Sequence, residues 1–158
     1  MKIFLRLLLV SLALGWAALI YHMSNTPGLE ALPFLQRFPF IPEIKDPQLA
    51  GDVEYVLRKT AHILEYAILF ILVFLVQRLI IFRKSKKRLA KALLVSLILC
   101  IAFAISDEIH QSMVPTRDGR LTDIFIDGFG LMLGQVIVLA AGEVLWGKET
   151  VDGGKSRG

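Results

Sequence analysis

AHILEYAILFILVFLVQRLIIFRKSKKRLAKALLVSLILCIAFAISDEIH, residues 61–110, decides the fold. It holds two apolar runs, Ala61 to Phe82 and about Leu89 to His110, on either side of Arg83-Lys84-Ser85-Lys86-Lys87-Arg88, a basic hairpin that continues to Lys91. A helix rises ~1.5 Å per residue, so roughly 20 apolar residues cross a bilayer core, and each run reaches that length. Backbone in lipid must bond to itself, which makes both runs helices. Basic residues stay with the cytoplasmic ends of such helices, so the hairpin belongs inside.

Upstream, an apolar run from Ile3 to about Tyr21 follows Lys2 and Arg6 and ends at Ser24-Asn25-Thr26-Pro27-Gly28. A basic start before an apolar stretch also fits a cleaved signal peptide, with Ala13-Leu14-Gly15 as the cutting point. Cutting there would leave a very short apolar region, and Trp16, Leu19 and Ile20 continue past it, so a retained helix is expected. Between Ser24 and about Glu54 stand Pro27, Pro33, Pro39, Pro42 and Pro47. Proline at that density argues against a regular helix, while Phe34, Leu35, Phe38, Phe40 and Ile41 suit the membrane interface. Downstream, a polar loop with Pro115, Arg117 and Gly119 leads to another apolar run and a short hydrophilic tail.

The expected fold is therefore all-α, an integral membrane four-helix bundle forming a single domain over 1–158. Its helices lie at about 3–22, 54–82, 89–110 and 122–146, with a proline-rich outer loop at about 24–53. A hydrophobic fraction of 55% and a mean hydropathy of +0.62 agree with that class. The formal charge of +4 sits beside the apolar segments, where it encodes orientation and does not indicate a nucleic-acid partner. With the hairpin inside, the N- and C-termini are both cytoplasmic, the first carrying Lys2 and Arg6 and the second Lys148, Lys155 and Arg157. The first outward loop is nearly balanced: Glu30, Glu43, Asp46, Asp52 and Glu54 offset Arg37, Lys45, Arg58 and Lys59. Cys100, the lone cysteine, lies in an apolar run and reads as a buried structural thiol.

Oriented this way, the helices carry their polar residues to one leaflet. His62 and Glu65, with Tyr66 beside them, open the second helix; Asp107, Glu108, His110 and Gln111 close the third; Asp123 and Asp127 open the fourth, after Arg117. Spacings of three and four residues put His62 with Glu65, Asp107 with His110 and Gln111, and Asp123 with Asp127 on shared faces. Asp127 should sit roughly 6 Å deeper than Asp123, and Glu65 roughly 4–5 Å deeper than His62. A charge facing lipid there costs a few kcal/mol, so these faces should turn inward. Gly130 and Gly134 form a small-xxx-small pair that allows close helix approach. Glu65, Asp107, Glu108, Asp123 and Asp127 outnumber the nearby cations Arg117, Arg58, Lys59 and Arg120. Crowded carboxylates take up protons, pair with basic groups or bind a cation, a divalent metal included.

Taken singly, each residue has a plain role. His62 suits an interfacial histidine bonded to Glu65 or a neighbouring helix, and His110 a helix C-terminus. Asp123 suits an N-terminal cap, Asp127 an early-turn carboxylate, Arg117 a lipid-phosphate contact, and Tyr66 and Trp146 the interfacial aromatic belt. Their conjunction on three helices exceeds what capping requires and points to a functional site.

The residues resemble those of the VanZ-like family, small bacterial membrane proteins named for a member associated with teicoplanin resistance. The resemblance rests on Ser24 with Pro27, on Lys59-x-x-His62-x-x-x-Tyr66, and on Ser106-Asp107-Glu108-Ile109-His110-Gln111. It continues through Pro115-x-Arg117-x-Gly119-x-x-x-Asp123-x-x-x-Asp127-x-x-Gly130. It covers most of the chain and implies a multi-pass protein of the bacterial plasma membrane. It also implies a link to the cell envelope and to reduced glycopeptide susceptibility.

The chemistry stays open among three classes. No H-E-x-x-H, Walker loop, G-x-S-x-G or zinc-type Cys/His framework is present in the sequence. A binding module would hold a lipid-linked envelope precursor or a glycopeptide-related ligand. A hydrolase or transferase of a lipid-linked substrate would use His62 or His110 as base or nucleophile, Arg117 on a phosphate, and the acidic residues on a divalent metal. A small proton-coupled transporter would need a polar path through the inner halves of the helices, which are nearly all Leu, Ile, Val and Phe.

Overall fold

The computed structural model describes residues 2–26, 31–81, 86–114 and 121–146. Its elements are α1 (Lys2–Ser24), a short α2 (Ala31–Leu35), α3 (Pro47–Val76) continued by a π-helical turn (Gln77–Ile81), α4 (Lys86–Gln111) and α5 (Leu121–Trp146). Among the described residues there is no strand. Among the described residues four helices are long and apolar enough to cross a membrane: Ile3–Ser24, Pro47–Ile80, Arg88–Gln111 and Thr122–Gly142. The chain is a multi-pass, all-α membrane bundle. The loop residues Arg83, Lys84 and Ser85, the side chain of Trp146 and the basic tail fall outside the described residues.

The proline-rich segment holds more helix than its composition suggests. Asp46 caps α3, its Oδ1 accepting from the Gln48 backbone N–H at 3.0 Å, and Pro47 occupies the first turn, where no N–H is needed. α3 therefore begins well before the expected start near Val53. Pro33 is likewise harmless in the first turn of α2. That helix is tied down by Glu54, whose Oε1 and Oε2 accept from the backbone N–H groups of Ala31 (2.9 Å) and Leu32 (2.6 Å). The span Pro47–Ile80 has 34 residues. At 1.5 Å each it is about 51 Å long, well beyond a ~30 Å hydrocarbon core, so the charged first turns of α3 stand clear of it.

Large side chains of α3 meet small ones on its neighbours. Tyr66, Phe70 and Phe74 form a buried stripe at four-residue spacing, with the Phe70 and Phe74 rings stacked 6.4 Å apart. α4 presents Ala92, Ser96, Cys100 and Ala104, also buried and also at four-residue spacing. α5 comes closest to α3. A Cβ at Gly130 would collide with the Ile63 carbonyl oxygen, and one at Gly134 would fall 2.6 Å from that of Ala67. Close approach of this kind replaces the hydrophobic effect, which gives no drive between helices already in lipid. On the outside, Leu94, Ile98, Ile101 and Ile105 of α4 and Phe125, Phe129, Met132 and Val136 of α5 are exposed. Apolar surface on that scale suits acyl chains and not water.

α1 is held by polar contacts in addition to packing. The Trp16 indole N–H donates to the Glu65 backbone carbonyl at 2.9 Å, and Ser24, the last residue of α1, reaches α4. The end of α1, the turns of α3 around His62, the end of α4 and the start of α5 thus meet at one end of the bundle, opposite the end where α4 starts.

Candidate functional site

Asp107 is the hub of this polar end. It is 3% exposed, and its Oδ2 accepts from the Ser24 hydroxyl (2.9 Å), the Gln111 side-chain amide (2.9 Å) and the Tyr66 hydroxyl (3.4 Å). Gln111 also donates to Ser24 Oγ at 3.1 Å, closing a small network. Residues from α1, α3 and α4 are joined through one carboxylate oxygen. Asp107 Oδ1 is buried and has no partner among the described residues.

Asp127, fully shut off from solvent, lies on the α5 side. Its Oδ1 is 3.1 Å from His62 Nδ1 on α3, and its Oδ2 has no partner among the described residues. A carboxylate on Nδ1 fixes the ring orientation and leaves Nε2 as the working nitrogen, the arrangement used by histidine general bases. One helical turn earlier, Lys59 of α3 pairs with Asp123 of α5 at 2.5 Å. Asp123 sits in the first turn of α5, where a negative charge also suits the helix dipole.

Glu108 completes the group. It is 4% exposed, both its oxygens are buried without a partner among the described residues, and it lies within electrostatic range of Asp123, Asp127, His62 and Asp107. The expected residues do not all take the same position. Glu65 is half-buried near His62, and its backbone carbonyl receives Trp16. His110 turns toward α1, its ring 4.6 Å from that of Tyr21 and its Nε2 3.3 Å from Asn25 Oδ1, away from the buried carboxylates. Arg117 lies outside the described residues.

Two residues take roles that the sequence had not assigned to them. Tyr66 is not a belt aromatic: it is 0% exposed, packed near Phe103 and bonded to Asp107. Its four-residue spacing with Phe70 and Phe74 was the available signal for burial. Lys59 is the partner of Asp123 and not merely a rim charge, which its three-residue spacing from His62 on the same helix face could have suggested. Among the described residues no three His, Cys, Asp or Glu side chains are arranged to hold a metal ion.

No curated protein and no solved structure matches the chain. A family model described as VanZ/LLP1 matches residues 5–142, a span that takes in most of α1 and α5, all of α3 and α4, and every residue of the polar cluster. With the motifs and the helices that carry them in agreement over that length, the chain belongs to the VanZ/LLP1 family.

Proposed function

We propose that this is a bacterial plasma-membrane protein, both termini cytoplasmic, whose polar cluster opens at the outer leaflet and binds or acts on a lipid-linked component of the cell envelope. One observation carries it: ionisable side chains from three membrane helices are shut inside one end of the bundle, Asp127 fully and Asp107 and Glu108 nearly so. Ionisable groups inside membrane segments are expensive and mark sites of function. Below them the core is largely apolar, with Leu69, Phe70 and Phe74 of α3 packed with Leu131 and Val138 of α5, which supports a site entered from one side over a proton path through the membrane. Masking or altering an envelope component would also account for lowered glycopeptide susceptibility, the trait of the family's namesake.

Lipid profiling of cells carrying the intact protein or its Asp107→Asn variant tests the proposal. The intact protein should change the amount of one envelope lipid or lipid-linked intermediate, and Asp107→Asn should abolish the change. Identical profiles for intact, variant and empty cells, with no lipid co-purifying, would sink it.

A second reading, hydrolysis or group transfer on the bound lipid, is favoured by the His62–Asp127 pair. His62 Nε2 would take a proton from water or a hydroxyl as it attacks the substrate, then return it to the leaving group. Appearance of a cleaved or transferred lipid product separates this reading from binding alone.

A further inference from the structure

Four buried carboxylate oxygens lack partners among the described residues: Asp107 Oδ1, both oxygens of Glu108, and Asp127 Oδ2. They share a pattern. Asp107 and Asp127 are each gripped by one oxygen, through Ser24, Gln111 and Tyr66 in one case and His62 in the other, and each leaves its second oxygen unused. Glu108, 4% exposed, offers both. Buried acceptors without donors are rare in folded proteins and ask for an explanation.

We infer that these oxygens receive a primary ammonium group carried by a lipid headgroup. The inference rests on the lipid-binding role proposed above for the same site. Charge comes first. Asp107, Glu108, Asp123 and Asp127 face only Lys59, already engaged by Asp123, and the titratable His62 among the described residues. Such a cluster repels an anion and draws a cation.

The kind of cation follows from the donors required. A metal ion needs several oxygens drawn to about 2.0–2.6 Å of one point. No three acidic or histidine side chains are so gathered among the described residues. An ammonium has three N–H donors, works at longer N–O distances of about 2.7–2.9 Å, and is held by one or two carboxylates without that gathering. A quaternary ammonium has no N–H and is recognised by aromatic faces. Here, among the described residues, the two rings bonded to these carboxylates, Tyr66 and His62, each meet them through a polar atom at the ring edge and not through a face. Acceptors without a ring cage select the primary amine. The lipid origin fits the surroundings: Phe34 of the short α2 that lies on α3 at this end of the bundle, with Phe38 and Phe40 just after it, forms an exposed run in which each ring packs on the next.

The full chain, purified and placed in nanodiscs, would be assayed by native mass spectrometry for retained dioleoyl-phosphatidylethanolamine, dioleoyl-phosphatidylcholine and dioleoyl-phosphatidylglycerol. Phosphatidylethanolamine should be held about tenfold more tightly than the other two, the worth of one charge-assisted hydrogen bond. Glu108→Gln and Asp127→Asn should erase that preference, and free ethanolamine should not displace the lipid. Because the headgroup series is run on the unaltered chain, it decides the matter even if a variant folds poorly. Equal retention of all three lipids that falls in Glu108→Gln would overturn the ammonium and leave the lipid site standing. Equal retention indifferent to both variants would overturn both. Displacement by ethanolamine alone would overturn the lipid source, and retention that needs calcium or magnesium and vanishes in chelator would give the oxygens to a metal.

Discussion

At the scale of the residue, the polar cluster is better suited to use than to support. Interhelical hydrogen bonds in membrane proteins average only about 0.6 kcal/mol, so the two that Asp107 receives from Ser24 and Tyr66 are worth about 1 kcal/mol together. Each unmet buried acceptor forfeits on the order of 1–3 kcal/mol, and the cluster has four among the described residues. The balance is unfavourable for a purely structural device. Asp127→Asn keeps the volume and an oxygen for His62 while removing a wholly buried charge. The variant should insert normally and melt in detergent at the same temperature or higher, yet lose the lipid effect. If His62 acts as a base, turnover should fall by roughly 10²-fold or more. An Asn variant with the full lipid effect would reduce the carboxylates to helix ties.

At the scale of the element, two contacts set how the cluster is framed. Gly134 faces the Ala67 carbonyl so closely that Gly134→Ala must push α5 off α3, at a cost of about 1–3 kcal/mol. Gly128, two turns nearer the polar end, has nothing within 4 Å of an added Cβ. Gly128→Ala should therefore be neutral or stabilising by up to ~1 kcal/mol through helix propensity alone. Thermal unfolding of the two variants side by side separates packing from propensity, and equal melting temperatures would contradict the close α3–α5 approach. Glu54→Ala removes both acceptors at the start of α2, a loss of about 0.5–2 kcal/mol for its docking. Faster hydrogen exchange at Ala31 and Leu32, without a change in α4 or α5, is the expected signature.

At the scale of the whole molecule, orientation decides which compartment the cluster serves. The basic hairpin and the balanced opposite loop predict an outward polar end. On a Cys100→Ser background, Gln48→Cys should react with an impermeant thiol reagent added to whole cells, while Ser85→Cys should react only after lysis. The reversed pattern would turn the bundle over and move the proposed ligand to the cytoplasmic leaflet. Cys100 itself is buried and should stay silent in either case.

Sequence alone was enough for the helices that cross the membrane. Lipid leaves a polypeptide no choice but internal hydrogen bonding over an apolar length, and composition reports both conditions directly. It also brought His62, Asp107, Asp123 and Asp127 to one end, because helical rise converts position in the chain into depth. Azimuth was the harder quantity. Whether a residue near a helix end faces lipid, a neighbour or water depends on how the helices rotate against one another, and small-residue packing such as Gly130 on Ile63 sets that rotation. Tertiary structure alone could therefore bury Tyr66 against Asp107, turn His110 toward Tyr21, pair Lys59 with Asp123, and leave both oxygens of Glu108 without a donor among the described residues. Capping likewise escaped composition, since the prolines that argued against helix at 31–35 and 47 stand in first turns, where a missing N–H does no harm.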